Sequence, residues 1–402
     1  MERAAAAWPD TLAVETADGA LTYAELARRA RSLPASRGDR VAILLPPGLD
    51  FVVALHACLM RGAIAMPIDG RLSERERDAQ VREAGFVIDA PLRAGSSAPA
   101  HIPEMGDGAL IVHTSGTTGS PRPVVLSYGN VLANALGCLA ALGHDRAERW
   151  LCPLPLSHVG GLMVLMRSVI AGTTAVLDVP SRADVTIASL VPTQLARLLE
   201  AGVAPPPSLR VVMLGGAPAD PTLLTRARDA GWPVAPSYGL TQACSAATVA
   251  DPGDLETSGS PLPGLRVSIA PDGEILVSGP SVAGGGVLRT GDLGRLERGR
   301  LVVVGRKSDT IVTGGENVAP SEVESALLEH PLVAEAGVFG RPDPQWGEAV
   351  TAFVVLRGEV LPGELREFCA ARLARFKVPK TIEAVTALPR NAAGKLLRRE
   401  LV

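Results

Sequence analysis

Residues 111–124 read IVHTSGTTGSPRPV, and this run of Thr, Ser and Gly between two apolar stretches decides how the rest of the chain is read. A glycine-rich turn can converge backbone N–H groups and hydroxyls on an anion, because Gly tolerates positive φ and leaves no side chain to hold phosphate oxygens away. Thr114, Ser115, Thr117 and Thr118 supply hydroxyl donors, with Gly116 and Gly119 between and after them. The segment lacks the Gly-Lys-Ser/Thr ending of the common nucleotide loop, which places an ammonium on the phosphates and a hydroxyl on magnesium. A phosphate-binding loop for a different ATP chemistry is therefore expected. Taken alone, the segment also fits an ordinary surface turn.

On either side of this loop, short apolar runs at residues 40–45, 63–67, 110–113, 175–177 and 209–214 alternate with helix-like stretches at 23–33, 50–61 and 193–201. This is the pattern of an α/β protein. From about residue 265 to 304 the texture changes to brief strands separated by Gly-containing turns, which predicts a β-rich segment closing a large N-terminal domain. Beyond residues 305–308 comes a compact α+β unit. A helix begun by Pro320 is expected at 321–329, strands at 333–339 and 349–356, and a further helix at 362–374. The domain division is thus 1–304, a hinge at 305–308, and 309–402.

With 402 residues the chain can bury a sizeable core without disulfides or metals to hold it. Its net charge of -3 leaves no basic footprint for nucleic acid or an anionic membrane. The five cysteines, Cys58, Cys138, Cys152, Cys244 and Cys369, form no CxxC pair, which argues against a zinc site and fits a reducing cytoplasm. The N-terminus has no secretory pattern, and the most apolar stretch, 160–177, contains Arg167 and several glycines, so no membrane span is expected. Small-molecule partners are expected.

Four further segments recur in a fixed order after the loop: PSYGLTQ at 236–242, LRTGDL at 288–293, GRKSDTIVTGGENVAPSEVE at 305–324 and NAAGK at 391–395. Together the five resemble the adenylate-forming superfamily of acyl-CoA synthetases, luciferases and nonribosomal peptide adenylation domains, over nearly the whole chain. The resemblance implies a carboxylate that attacks the α-phosphorus of ATP to give an acyl adenylate and pyrophosphate, then a thiol that displaces AMP. Such catalysis rests on positioning and charge neutralisation rather than on a protein nucleophile.

Residue by residue, the resemblance places Thr114, Ser115, Gly116, Thr117, Thr118 and Gly119 around the β- and γ-phosphates. Gly215, Gly216, Ala217 and Pro218 would line the adenine, with Tyr238 stacking on the base and Gly239 beside nucleotide and acyl group. Asp292 would take the ribose hydroxyls, because a carboxylate accepts from both at once, and Arg306 would support it from the hinge. Catalytic roles fall to Lys395, Thr241, His158 and Arg122, and Thr117 and Gln242 would face Mg2+. Gly314 and Gly315, with Glu316, would border the path of coenzyme A once the small domain rotates about the hinge, where Ser308 stands in place of the family's usual Asp or Lys.

Three departures accompany the resemblance. Arg122 and Pro123 replace Lys-Gly in the first loop, keeping charge but not shape. Gln242 replaces an acidic residue, and a neutral amide is a weaker ligand for a hard cation. The stretch 68–108 is shorter than usual. Reduced activity or a shifted metal requirement is one expectation from these changes.

The acid is read from PLPLSHVGGLMVLMRSVIAG at 153–172. Residues 162–170 are apolar nearly all round apart from Arg167 and Ser168, so the helix should be buried, and a buried guanidinium needs an anion. A structural Asp or Glu is one partner; a second carboxylate on the substrate is the other. With ASLVPTQLARLLE at 188–200 and VMLGGAPA at 212–219, the segment is similar to the o-succinylbenzoate-CoA ligases of menaquinone biosynthesis. That resemblance implies that Arg167 holds the benzoate and His158 packs near the keto-acyl part. Ligases for another acid, enzymes loading a carrier protein and a non-catalytic nucleotide-binding relative remain alternatives, and a homodimer is the assembly left open.

Overall fold

Strands buried on both faces read as continuous apolar runs. Val211–Leu214 is buried at every position, and so is Ile187–Leu190. The computed structural model describes residues 1–93, 101–114, 122–177, 184–390 and 396–401. Among them, the largest sheet has a parallel centre in the order Val234–Leu240, Val211–Leu214, Ile187–Leu190, Arg149–Leu151, Thr174–Leu177 and Leu12–Thr16. Antiparallel partners flank this centre, Ser245–Val249 and then Ser260–Pro261 beyond Val234–Leu240, and Gly19–Thr22 beside Leu12–Thr16.

A second sheet pairs Phe86–Ile88, Arg40–Ile43, Ile64–Pro67 and Gly108–Thr114 in parallel and ends on the antiparallel strand Arg122–Ser127. Helices Leu49–Arg61, Tyr128–Leu142 and Val159–Ala171 bury Leu55, Ala135 and Leu162 in one core with strand residues such as Val41 and Leu110. Ser127 caps the second of these helices: its hydroxyl accepts from Asn130 N and the Asn130 side chain accepts from Ser127 N, so two orphan donors of the first turn are satisfied.

The expected β-rich segment is an antiparallel sheet of Arg266–Ile269, Glu274–Ser278, Val287–Glu297 and Arg300–Arg306. After a short turn at Lys307–Asp309 a separate sheet starts with Ile311–Thr313 and continues through Glu316–Val318, Val333–Asp343, Gly347–Leu356 and Thr381–Ala384. Its core of Ile311, Val323, Leu327, Val350 and Leu365 is its own. This is the α/β large domain with a small α+β unit that the sequence predicts.

Two expected helices are shorter than their patterns. The helix expected to reach residue 374 is Pro362–Ala370. Just past its end Arg372 stacks on Phe368, the guanidinium carbon 3.5 Å from the ring centroid, and donates to the Phe368 carbonyl at 3.2 Å, which satisfies one of the orphan carbonyls of the last turn. The one expected at 23–33 is α-helical over Tyr23–Arg29 and tightens into a 3-10 turn at Ala30–Ser32.

Candidate active site

Leu190, Leu214 and Pro236 stand in register at the carboxyl end of the parallel strands, with Val234–Leu240 running on past that level, and ligands of open α/β sheets bind beyond such carboxyl ends. The two glycines that follow Leu214 are shaped by close approach. A Cβ on Gly215 would sit 2.6 Å from Ser237 Oγ, and Gly216 has φ +82°. Gly239 is tighter still, with space for a Cβ only 2.0 Å from the Ser245 carbonyl oxygen, where the pairing of Val234–Leu240 with Ser245–Val249 slips register. The backbone is thereby exposed at one rim, the place where a flat base can lie against it.

Beside this rim a three-residue chain links the large sheet to the antiparallel one. The Tyr238 hydroxyl donates to Asp292 Oδ2 at 2.8 Å, and Arg306 Nε lies 3.0 Å from Asp292 Oδ1. Asp292 and Arg306 face each other across adjacent strands, so their pairing follows from register. Burial, and then the Asp292 charge, push the Tyr238 hydroxyl far above its ordinary pKa, which keeps it protonated and donating. Asp292 is 7% exposed and retains one lone pair on each oxygen.

Thr241–Ala243 form a 3-10 turn that packs against strand Arg122–Ser127. Cys244 and Ser245 then take φ +60° and +98°, values rare for residues with a Cβ. Three donors hold this turn: Asn134 Nδ2 to the carbonyls of Ala243 (3.3 Å) and Ala246 (2.8 Å), Ser281 Oγ to Ala243 (3.1 Å), and Ala283 N to Gln242 (2.8 Å). Thr114 and Arg122 are register partners at the base of the loop, where Thr114 Oγ1 donates to the Arg122 carbonyl at 3.2 Å. Ser115, Gly116, Thr117, Thr118, Gly119 and Lys395 lie outside the described residues. Gly314 and Gly315 make the hairpin turn of the small domain with φ +59° and +84°, beside Trp346.

His158 is the N-cap of helix Val159–Ala171. Its Nε2 lies 3.8 Å from Asp69 Oδ2, the same oxygen that accepts from Ser157 Oγ at 3.1 Å. Burial lowers the imidazole pKa against the opposing pull of Asp69, so the ring is neutral at pH 7. Hydrogen bonds from Arg71 hold the Asp69 carboxyl well below the usual carboxylate range.

Arg167, on the same helix, is 1% exposed. Its Nη2 donates to Asn134 Oδ1 at 2.9 Å and its guanidinium carbon stands 5.4 Å from the centroid of the Trp150 ring. Nε has no hydrogen-bond partner, and among the described residues no carboxylate pairs with the guanidinium. Sequence reasoning identified Arg167 but missed Asn134, Asp69 and Trp150. The signal for Asn134 was present: it follows Asn130 by four residues on one face of an otherwise apolar helix, where an amide must find a partner.

All five cysteines are free and buried. Burial pushes Cys152 and Cys244 up to about 12 and Cys369 to about 11, so none is a thiolate at neutral pH.

The chain is similar to known proteins over nearly its whole length. The AMP-binding enzyme model matches residues 1–88 and 86–285, and the AMP-binding enzyme C-terminal domain matches 322–395. The chain is 38% identical to a 2-succinylbenzoate–CoA ligase of Bacillus velezensis, over 98% of this chain and 95% of the relative. Among solved structures, the o-succinylbenzoate CoA synthetase of Bacillus subtilis in complex with the acyl-adenylate intermediate OSB-AMP matches at TM-score 0.91 and 36% identity, covering 100% of this chain and 97% of that one. A double mutant of the same enzyme bound to its product analogue OSB-NCoA matches at TM-score 0.71 with the same identity and coverage. On family matches covering both domains and a relative this close over its full length, the chain belongs to the AMP-binding enzyme family and is an ATP-dependent, AMP-forming carboxylic acid–CoA ligase.

Proposed function

We propose that the acid is o-succinylbenzoate, activated on its succinyl carboxylate and released as the coenzyme A thioester. The observation that carries this reading is Arg167: a buried guanidinium with an unpartnered Nε and no carboxylate beside it among the described residues. Burying one unpaired charge costs several kcal/mol, and removing an ion from water is tolerated when an opposite charge meets it. A second carboxylate on the substrate meets that need, and o-succinylbenzoate has one. The names of the full-length relatives support the same acid.

In the first step the substrate carboxylate attacks the α-phosphorus and pyrophosphate leaves. Asp292 accepts from the ribose hydroxyls, Gly215, Gly216, Ala217 and Pro218 admit the adenine against Tyr238, and Thr114, Thr117 and Thr118 donate to the phosphates. Lys395 neutralises charge at the α-phosphate, with Thr241 and Arg122 beside the transferring group. Gln242 and Thr117 would be the chain's contribution to holding a magnesium ion, which when bound supplies charge neutralisation on the phosphates. In the second step the small domain turns about residues 305–308, Gly314 and Gly315 border the incoming pantetheine, and the thiol displaces AMP. The thiol is external, since every cysteine of the chain is buried and protonated. Neutral His158 packs against the acyl group without placing a charge near it.

The test is an ATP- and magnesium-dependent assay following pyrophosphate and thioester with o-succinylbenzoate against a panel of simple aryl and fatty acids. Preference for the dicarboxylate, lost in Arg167→Gln, is the expected result. Equal turnover of the monocarboxylates would refute the substrate.

A further inference from the structure

The cation that reads the second carboxylate does not stand by itself. Asn134 lies mid-helix in Tyr128–Leu142 and is 1% exposed, so both ends of its amide must be satisfied by protein. Its nitrogen faces two carbonyls, those of Ala243 and Ala246. Carbonyls accept only, which fixes the amide orientation and turns the oxygen toward Arg167 Nη2. Of the five N–H donors on that guanidinium, this oxygen takes one. The Trp150 ring at 5.4 Å adds a cation–π contact on the face.

Among the described residues the charge meets no neutralising group. Cys138, Cys152 and Cys244 are near enough to feel the Arg167 charge, yet burial outweighs it and keeps all three thiols neutral. A neutral acceptor holds the guanidinium in place without cancelling its charge. A carboxylate at the same position would hold it equally well and leave nothing for a substrate to neutralise.

The same amide also anchors the turn of Cys244 and Ser245, whose positive φ values need external support. That turn follows Thr241 and Gln242 directly. One side chain therefore fixes both the anion-reading cation and the loop on the nucleotide side.

We propose that Asn134 is a positioning residue for substrate discrimination: it orients Arg167 while leaving its charge uncompensated, and it ties that cation to the Thr241–Ser245 turn. This rests on the substrate reading above. It makes Asn134 a determinant of dicarboxylate preference, although it need not touch the substrate.

The experiment compares kcat/KM for o-succinylbenzoate with that for 4-oxo-4-phenylbutanoate, the same acid without the ring carboxylate, by ATP–pyrophosphate exchange. Asn134→Asp places a standing anion on Arg167, and the ratio should fall at least tenfold. Asn134→Ser shortens the acceptor without adding charge and should lower it several-fold; it carries the test should the Asp variant not fold. In an Arg167→Gln background neither change should alter the ratio further. A merely structural Asn134 would reduce both acids together and leave the ratio within twofold of wild type, which overturns the assignment. A wild-type enzyme without dicarboxylate preference overturns the substrate reading and this assignment together, whereas wild-type preference retained in both variants overturns the assignment alone.

Discussion

Removing the Asp292 carboxylate gives the sharpest test of the nucleotide site. One lone pair on each oxygen is already used, by the Tyr238 hydroxyl at 2.8 Å and Arg306 Nε at 3.0 Å, which leaves one on each for a ribose hydroxyl. Hydrogen bonds to a charged acceptor contribute about 1.5–3 kcal/mol each. Two of them make about 3–4 kcal/mol a conservative loss for Asp292→Ala, or about a 10²–10³-fold drop in kcat/KM for ATP. The substitution also strands a buried Tyr238 hydroxyl and a cation, costing about 1–3 kcal/mol of stability, so lost activity by itself would be ambiguous. The discriminating readout is 2'-deoxy-ATP. The wild type should prefer ATP over the deoxynucleotide by about tenfold or more, one charge-assisted bond, and Asp292→Ala should treat the two alike. If the variant kept the wild-type preference, Asp292 would be a structural partner of Tyr238 and Arg306, and the ribose site would lie elsewhere.

Three further outcomes are expected. Lys395→Ala should lose most acyl-adenylate formation, followed as pyrophosphate release, yet still convert supplied acyl adenylate to thioester; equal loss of both steps would contradict its role. Gln242→Glu should lower the magnesium concentration for half-maximal adenylation several-fold, because a carboxylate suits a hard cation better than an amide; an unchanged magnesium titration would remove residue 242 from the metal's surroundings. Burial lowers His56 to about 3, so the unfolded chain binds its proton more readily than the fold between that value and an ordinary histidine pKa. Stability should therefore rise with pH across this window and be fully present above it. At pH 5 the loss is about 2 kcal/mol, and urea unfolding of His56→Gln should show a shallower acid decline; an identical slope would assign the decline to other groups.

What was legible in the sequence, and what was not, follows from the range of the forces involved. Strands such as Val211–Leu214 and helices such as Leu49–Arg61 are set by local pattern and caps, and were readable within a few residues. The helix ends at Arg29 and Ala370 were not: the first passes into a 3-10 turn and the second is followed by an Arg stacked on Phe368, and neither feature has a periodic signature. Asp292 and Tyr238 were found through the motifs that contain them. Their direct bond was invisible, because 54 residues and two sheets separate them. Asp69 was overlooked for the same reason: only folding brings the loop after Ile64–Pro67 to the N-terminus of the helix that His158 caps.

Arg167 shows where sequence reasoning stops and structure must continue. An apolar helix with one arginine says that the cation is buried and needs an anion, but it cannot say whether the fold supplies one. The fold supplies a neutral amide, an indole face and buried neutral thiols instead. Had Asp or Glu stood at position 134, the same helix pattern would describe a structural ion pair, and the case for a dicarboxylate would vanish. The choice between those meanings rests on a residue 33 positions away in sequence. On the proposed reading, specificity for a charged substrate group is a property of the pair, the arginine that attracts and the asparagine that declines to neutralise it, and replacing either should lower it.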